Sequence, residues 1–216
     1  MNSNDRINEL FDLRDRITFS RRAFLAKSAG CASGLTLLAF PGIQRAGGAA
    51  QANESKEEIF KGLEAKAAKF MKMYGSCAKS SFAALNEQFE LKAEQMVPAI
   101  MPLTGGIAGK GETCGAVSGS LLAIGYFFES LNRAGKQQPG ATMRLGSMFF
   151  DGFEKEFGST RCREVVRHQY GRYFDFAKPE EQKLFLEQTK SGDKCTEVVT
   201  KAILLAATIM LENSSV

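Results

Sequence analysis

Cys77, Cys114, Cys162 and Cys195 are the side chains of this 216-residue chain best suited to chemistry. Each stands where the sequence predicts the start of a helix. Cys77 follows Gly75-Ser76, Cys114 follows Glu112-Thr113, Cys162 follows Ser159-Thr160-Arg161, and Cys195 follows Asp193-Lys194. Amides in the first turn of a helix lack intrahelical partners, and the macrodipole favours negative charge there. Such positions are expected to lower a thiol pKa and stabilise the thiolate, the form that binds metal or attacks a disulfide. Each cysteine also begins or borders an apolar helix face: Cys195 leads to Val198 and Val199, Cys114 to Val117 and Leu121, Cys162 to Val165 and Val166. The four thiols are therefore expected to point inward and converge. The bland alternative is four buried cysteines acting as small apolar groups.

The segment 104–111, Thr-Gly-Gly-Ile-Ala-Gly-Lys-Gly, runs into Cys114. It is not a phosphate loop, because Thr104 stands where that motif needs Gly and Gly111 where it needs Ser or Thr. It also misses the third glycine of the dinucleotide fingerprint. The better reading is a backbone that approaches a thiolate or sulfur cluster at Cys114 and aims its N–H groups there as an anion nest; a flexible surface loop is the alternative. Gly115 and Gly119 would let helices approach closely. His168, the sole histidine, reads as a solvated or capping residue, and Glu154, Glu156 and Glu164 read as solvated helix faces. Arg161 and Arg163 flank Cys162 and could lower its pKa further.

These thiols need a scaffold, and the apolar spacing supplies a helical one. The 3.6-residue period is nearly continuous and strand-type alternation is nearly absent. Helices are predicted over 55–74, 77–91, 113–131, 141–157, 159–169, 179–189 and 193–211, with a loop marked by Pro98 and Pro102. Gly158 is a left-handed cap for the fourth helix, Ser159 or Thr160 caps the fifth, and Asp193 the last. The fold class is all-α: a compact single-domain bundle of about six or seven helices over residues 53–216. The apolar run 202–211 is half a membrane span, so it reads as a core helix.

The front of the chain is different. Ser20-Arg21-Arg22-Ala23-Phe24-Leu25-Ala26-Lys27 resembles the twin-arginine export signal, with the Lys one place late. An apolar stretch over 29–40 follows, too short to span a bilayer, and Ala50-Gln51-Ala52 has the form of a signal-peptidase site. Residues 1–52 are thus expected to be a cleaved signal, which also removes Cys31. They hold seven of the 28 Lys+Arg and only four of the 24 Asp+Glu. The basic balance belongs to the signal, and no basic patch is left to suggest nucleic acid. The expected location is periplasmic or otherwise extracytoplasmic. Hydrophobic residues at 44% and charged residues at 24% exclude wholesale disorder and a multi-span membrane protein.

The segment Cys114-Gly115-Ala116-Val117-Ser118-Gly119 is a C-G-A-x-x-G motif, with one cysteine before it and two after. With Cys77-Ala78, the stretch from Phe157 to Glu164 and Cys195-Thr196-Glu197-Val198-Val199, it resembles the redox-active family named for that pattern (C_GCAxxG_C_C) across roughly 74–210. The resemblance implies redox activity. Related segments occur beside haem modules in split-Soret cytochromes, where an iron–sulfur centre has been proposed. No C-x-x-C-H is present, so c-type haem is not expected.

Three functions of different class remain open. The leading one is an iron–sulfur centre on Cys77, Cys114, Cys162 and Cys195 serving electron transfer or an oxidoreductase. The second is metal-free thiol–disulfide exchange. The third is a structural domain with inert disulfides or a Cys₄ zinc. The absence of C-x-x-C weighs against zinc ribbons and thioredoxin-like dithiols. The twin-arginine route resembles one that carries folded proteins, which suits a cofactor inserted before export. The expected partners are a redox protein and a second copy of the chain, with no nucleic acid and no stable membrane span after the signal.

Replacing Arg21 and Arg22 together by Lys should leave an unprocessed precursor in the cytoplasm. Cell fractionation that still finds the processed form outside would refute the export signal.

Overall fold

Capping chemistry at Ser55, Gly75, Ser76, Gly158 and Asp193 sets several of the helix boundaries. The structure, a computed structural model, describes residues 55–133, 140–189 and 193–214. The signal expected over 1–52, with Arg21, Arg22 and Cys31, lies outside the described residues. Helix α1 spans Lys56–Tyr74. The Ser55 hydroxyl accepts from the Glu58 amide and the Glu58 carboxylate from the Ser55 amide, a reciprocal capping box. Gly75 ends α1 at φ 56, a left-handed conformation that glycine adopts without strain. Ser76 then caps α2, Cys77–Gln88.

α2 ends three residues before the expected boundary at 91. Buried Asn86 is the reason: its side-chain carbonyl accepts from the Ala93 amide at 2.9 Å, and its NH₂ donates to Glu94 at 3.0 Å. The chain reverses through Glu90 and Lys92, both at positive φ. The expected Pro98–Pro102 loop is a 3₁₀ segment, Glu94–Leu103. The φ that proline fixes at about −65° suits a 3₁₀ turn, so the segment carries Pro98 and Pro102.

Helix α3 spans Gly115–Arg133, beginning two residues later than expected. Thr113 is held out of the helix by an antiparallel bridge to Arg161. α4 spans Ala141–Phe157 and ends at Gly158 with φ 74, as the sequence implied. α5, Cys162–Tyr170, starts at Arg161 with no side-chain cap, where Ser159 or Thr160 was expected. Instead the Ser159 hydroxyl accepts from the Arg161 amide, and the Thr160 carbonyl accepts from the Cys114 amide. α6 spans Pro179–Thr189, and α7 spans Lys194–Asn213 behind its Asp193 cap.

The protein is all-α: among the described residues the only β-type pairing is the Thr113–Arg161 bridge. α3 is central, with α2, α4 and α7 packed on it, while α1 packs on α2 and α7. Leu145, Phe149, Phe153 and Phe157 recur every four residues on α4 and are all buried. They meet a core that includes Phe82, Phe128, Ile203 and Met210. The apolar run at the end of α7 buries Ala202, Ile203, Ala206, Ala207, Ile209 and Met210, so it is a core helix. No described helix is long and apolar enough to cross a membrane.

The start of α3 lies almost against α2. A Cβ on Gly115 would collide with the Cys77 sulfur, and one on Gly119 with the Ala78 carbonyl oxygen. The same two glycines that suggested close helix approach therefore set the spacing beneath the cysteines. Gly119→Ala should cost about 1–3 kcal/mol through overpacking. Gly125→Ala, where a Cβ meets nothing within 4 Å, should be neutral or gain up to about 1 kcal/mol from helix propensity. Urea unfolding of the two variants beside the parent checks this; equal effects would show that the α2–α3 approach is not tight.

Candidate functional site

The glycine-rich segment is a defined turn, not a flexible loop. Gly105, Gly106, Ile107, Ala108 and Gly109 all have φ between 51 and 76, a short left-handed coil, and Gly111 returns to the same region. For Ala, and more so for β-branched Ile, this conformation is strained by about 1–2 kcal/mol per residue. The coil is pinned by its own backbone bonds, including Ala108 N–H to Pro102 O at 2.6 Å and Glu112 N–H to Gly106 O at 2.9 Å. The Thr104 hydroxyl ties it to Ser76, the cap of α2, at 2.6 Å.

A second set of bonds ties the turn to α5. Cys162 N–H donates to Glu112 O at 2.6 Å, Cys114 N–H to Thr160 O at 2.8 Å, and Arg163 N–H to Gly111 O at 3.1 Å. The Arg163 guanidinium also donates to the carbonyls of Lys110 and Gly111. Arg161 and Arg163 both pair with Glu112. The two arginines thus act mainly as clamps on the turn. Gly106 packs so closely on Cys162 that a Cβ there would lie 2.5 Å from the Cys162 Cβ.

These ties bring the four cysteines together. Cys77, Cys114, Cys162 and Cys195 all line one cavity of about 610 Å³. Cys114 and Cys162 are buried, Cys77 and Cys195 half-buried, and all four are free thiols. Cys77 and Cys162 are the first residues of α2 and α5, and Cys195 the second residue of α7. Cys114 departs from the expectation: it precedes α3, held by its amide bond to Thr160. Among the described residues, no three His, Cys, Asp or Glu side chains are arranged to hold a single metal ion.

Electrostatics correct the expectation of lowered thiol pKa values. Burial pushes Cys114 up to about 12, helped by the nearby Cys77 charge and opposed by the amides of Ala116 and Val117. Cys162 is raised by burial and then by Cys114, Cys77 and Cys195, with Arg163 pulling weakly the other way. Burial also raises Cys195, with Cys77, Asp193 and Cys114 adding to it. Cys77 is raised by burial against four backbone amides, those of Gly105, Ala78, Cys77 and Gly115. The helix-start amides do face the sulfurs, but desolvation outweighs them. Of the glycine-rich segment assigned as an anion nest to Cys114, the Gly105 amide faces Cys77 instead.

Tyr170 and Phe185 carry parts of the site that the sequence alone did not mark. The Tyr170 hydroxyl accepts from the Cys195 amide and donates to Asp193, both at 3.3 Å. Phe185 anchors α6, which buries no residue fully, by edge-on contacts to Tyr170, Phe174 and Phe176. The aromatic spacing at 170, 173, 174 and 176 was the available signal. His168 is exposed on α5, and Glu164 pairs with Arg167 and Glu156 with Lys201, as solvated faces should.

The fold and site define a helical-bundle protein with four thiols gathered from four helix starts onto one cavity. A family model described as Putative redox-active protein (C_GCAxxG_C_C) matches residues 75–209. The chain belongs to that family, and the match spans all four cysteines. No curated protein and no solved structure matches it.

Because the native state keeps these thiols neutral above the pH at which an unfolded chain ionises them, the unfolded state binds fewer protons there. Stability therefore falls as pH rises. For Cys114 the window runs from the ordinary value of 9.0 to about 12, at about 1.4 kcal/mol per pH unit. Denaturant unfolding of the reduced, metal-free protein should show this loss, full stabilisation lying below pH 9.0. Cys114→Ala should flatten the alkaline limb relative to the parent; an unchanged slope would mean the thiol is not held neutral.

Proposed function

We propose that this protein is an exported electron-transfer or oxidoreductase component whose Cys77, Cys114, Cys162 and Cys195 hold an iron–sulfur centre. The observation that carries the reading is the cavity: four thiols from four separate helix starts face it, with Asp193 as the only other ionisable side chain among the described lining residues. An all-sulfur donor set suits iron–sulfur clusters and other soft metal centres. Ligands that each hold a different iron stand farther apart than ligands closing tetrahedrally on one zinc. Among the described residues no compact three-residue group is present, which is compatible with the former.

Such a centre, when bound, supplies one-electron transfer. The chain's own residues prepare the place for it. Burial holds the thiols protonated until a cation replaces the protons, so loading releases protons and is favoured as pH rises. The amides of Gly105, Ala78 and Gly115 face the Cys77 sulfur and favour negative charge there. Hydrogen bonds of this kind help set the potential of a sulfur-ligated centre. Raised thiol pKa values weigh against metal-free thiol–disulfide exchange, whose attacking species is the thiolate. The twin-arginine-like leader supports assembly before export, an extracytoplasmic location and a redox protein as partner.

Protein purified without oxygen should show visible absorption with bound iron and sulfide. Cys114→Ser should abolish both and lower the melting temperature, because ligation stabilises only the folded state. A colourless parent free of iron and sulfide, with a reversible two-electron thiol couple, would overturn the reading in favour of dithiol chemistry.

A further inference from the structure

The cavity is larger and more apolar than its sulfurs require. At about 610 Å³ it lies inside the range of about 300–1,000 Å³ of small-molecule sites. Its inner end holds the buried Cys114 and Cys162. Its outer wall is built from Met71, Met101, Phe176, Phe185 and Leu186. Met101 and Leu186 are 50% and 63% exposed, which marks them as the rim.

The described polar lining side chains other than the thiols are already engaged. The Thr104 hydroxyl is bonded to Ser76, Gln182 donates to Phe176 O, and the Thr189 hydroxyl donates to Leu186 O. Asp193 accepts from the Cys195 amide, the Thr196 hydroxyl and the Tyr170 hydroxyl. No Lys, Arg or His is among the described lining residues. Among these residues an anion would find no cationic partner to replace its lost hydration. Thioethers and ring edges, by contrast, offer dispersion and sulfur–aromatic contact to a flat ring.

We infer that the outer half of this cavity is a binding site for an uncharged, planar aromatic molecule, seated between the wall of α6 and the four sulfurs. The exposure of Leu186 and Met101 gives the molecule its way in, and Phe185 holds α6 over it. The site follows from the shape and chemistry of the wall and does not depend on what the thiols ligate.

The test uses the full chain purified without oxygen, with its iron content measured alongside. It is titrated with N-phenylnaphthylamine, an uncharged dye that brightens in apolar surroundings, and with anilinonaphthalene sulfonate, the same ring system carrying an anion. The neutral dye should bind at one site, and the sulfonate at least about tenfold more weakly, given the cost of burying an unpaired charge. Leu186→Glu and Met101→Glu, both at exposed rim positions, should each weaken the neutral dye at least about fivefold through lost apolar contact, with the helical circular dichroism unchanged. Equal affinity for the two dyes, or parental affinity in either variant, overturns the proposal. Failure to find iron would leave this result untouched, and failure here would leave the iron–sulfur reading untouched.

Discussion

Three backbone bonds between 111–114 and 160–163 are the constraint on which the site depends. They join Cys114 to Thr160, Cys162 to Glu112 and Arg163 to Gly111. By holding Thr113 extended they set where α3 can begin, and by occupying the Thr160 carbonyl they set how α5 starts. Two of the four thiols are attached directly to this short ladder. A third, Cys77, is fixed from beneath by Gly115, the first residue after it. The strained left-handed coil at 105–109 is tolerated because the ladder, the Thr104–Ser76 bond and the Arg163 clamp all hold it.

Two electrostatic tendencies compete at the sulfurs, and their balance decides what the site can do. Helix-start amides favour thiolate, while burial and neighbouring sulfurs favour thiol. Burial prevails at all four positions. A cluster of neutral thiols with amides already aimed at them is a poor nucleophile, and under the proposed function it would be a ligand set. In that proposal a cation would replace the protons, and the amides facing Cys77 would favour the resulting charge.

Much of this was legible in the residues. The helical period, Gly75 and Gly158 as caps, Asp193 as the start of α7 and the small residues Gly115 and Gly119 all depend on local rules, and the structure follows them. The meeting of the cysteines was readable because each begins or borders an apolar face. The misplacements share one cause. The start of α3 and the cap of α5 are set by pairing between segments nearly fifty residues apart, and the nest meets the start of α2 across 28 residues, which no local window contains. The early end of α2 has the same origin in miniature, since Asn86 bonds across a turn rather than along its helix. Thiol pKa values erred because position along a helix is visible in sequence and depth in the core is not.

The ladder also closes the open end of the α3–α4 hairpin. α3 is 19 residues long, so its far end near Arg133 lies about 28 Å away along the helix axis. The register of Cys114 against Cys162 is therefore fixed at their own end and not by the chain that joins α3 to α4. The entropy of closing that connection grows only slowly with its length. Segments could be inserted or exchanged at the tip, including a tag or a reporter domain, while the sulfurs keep their spacing.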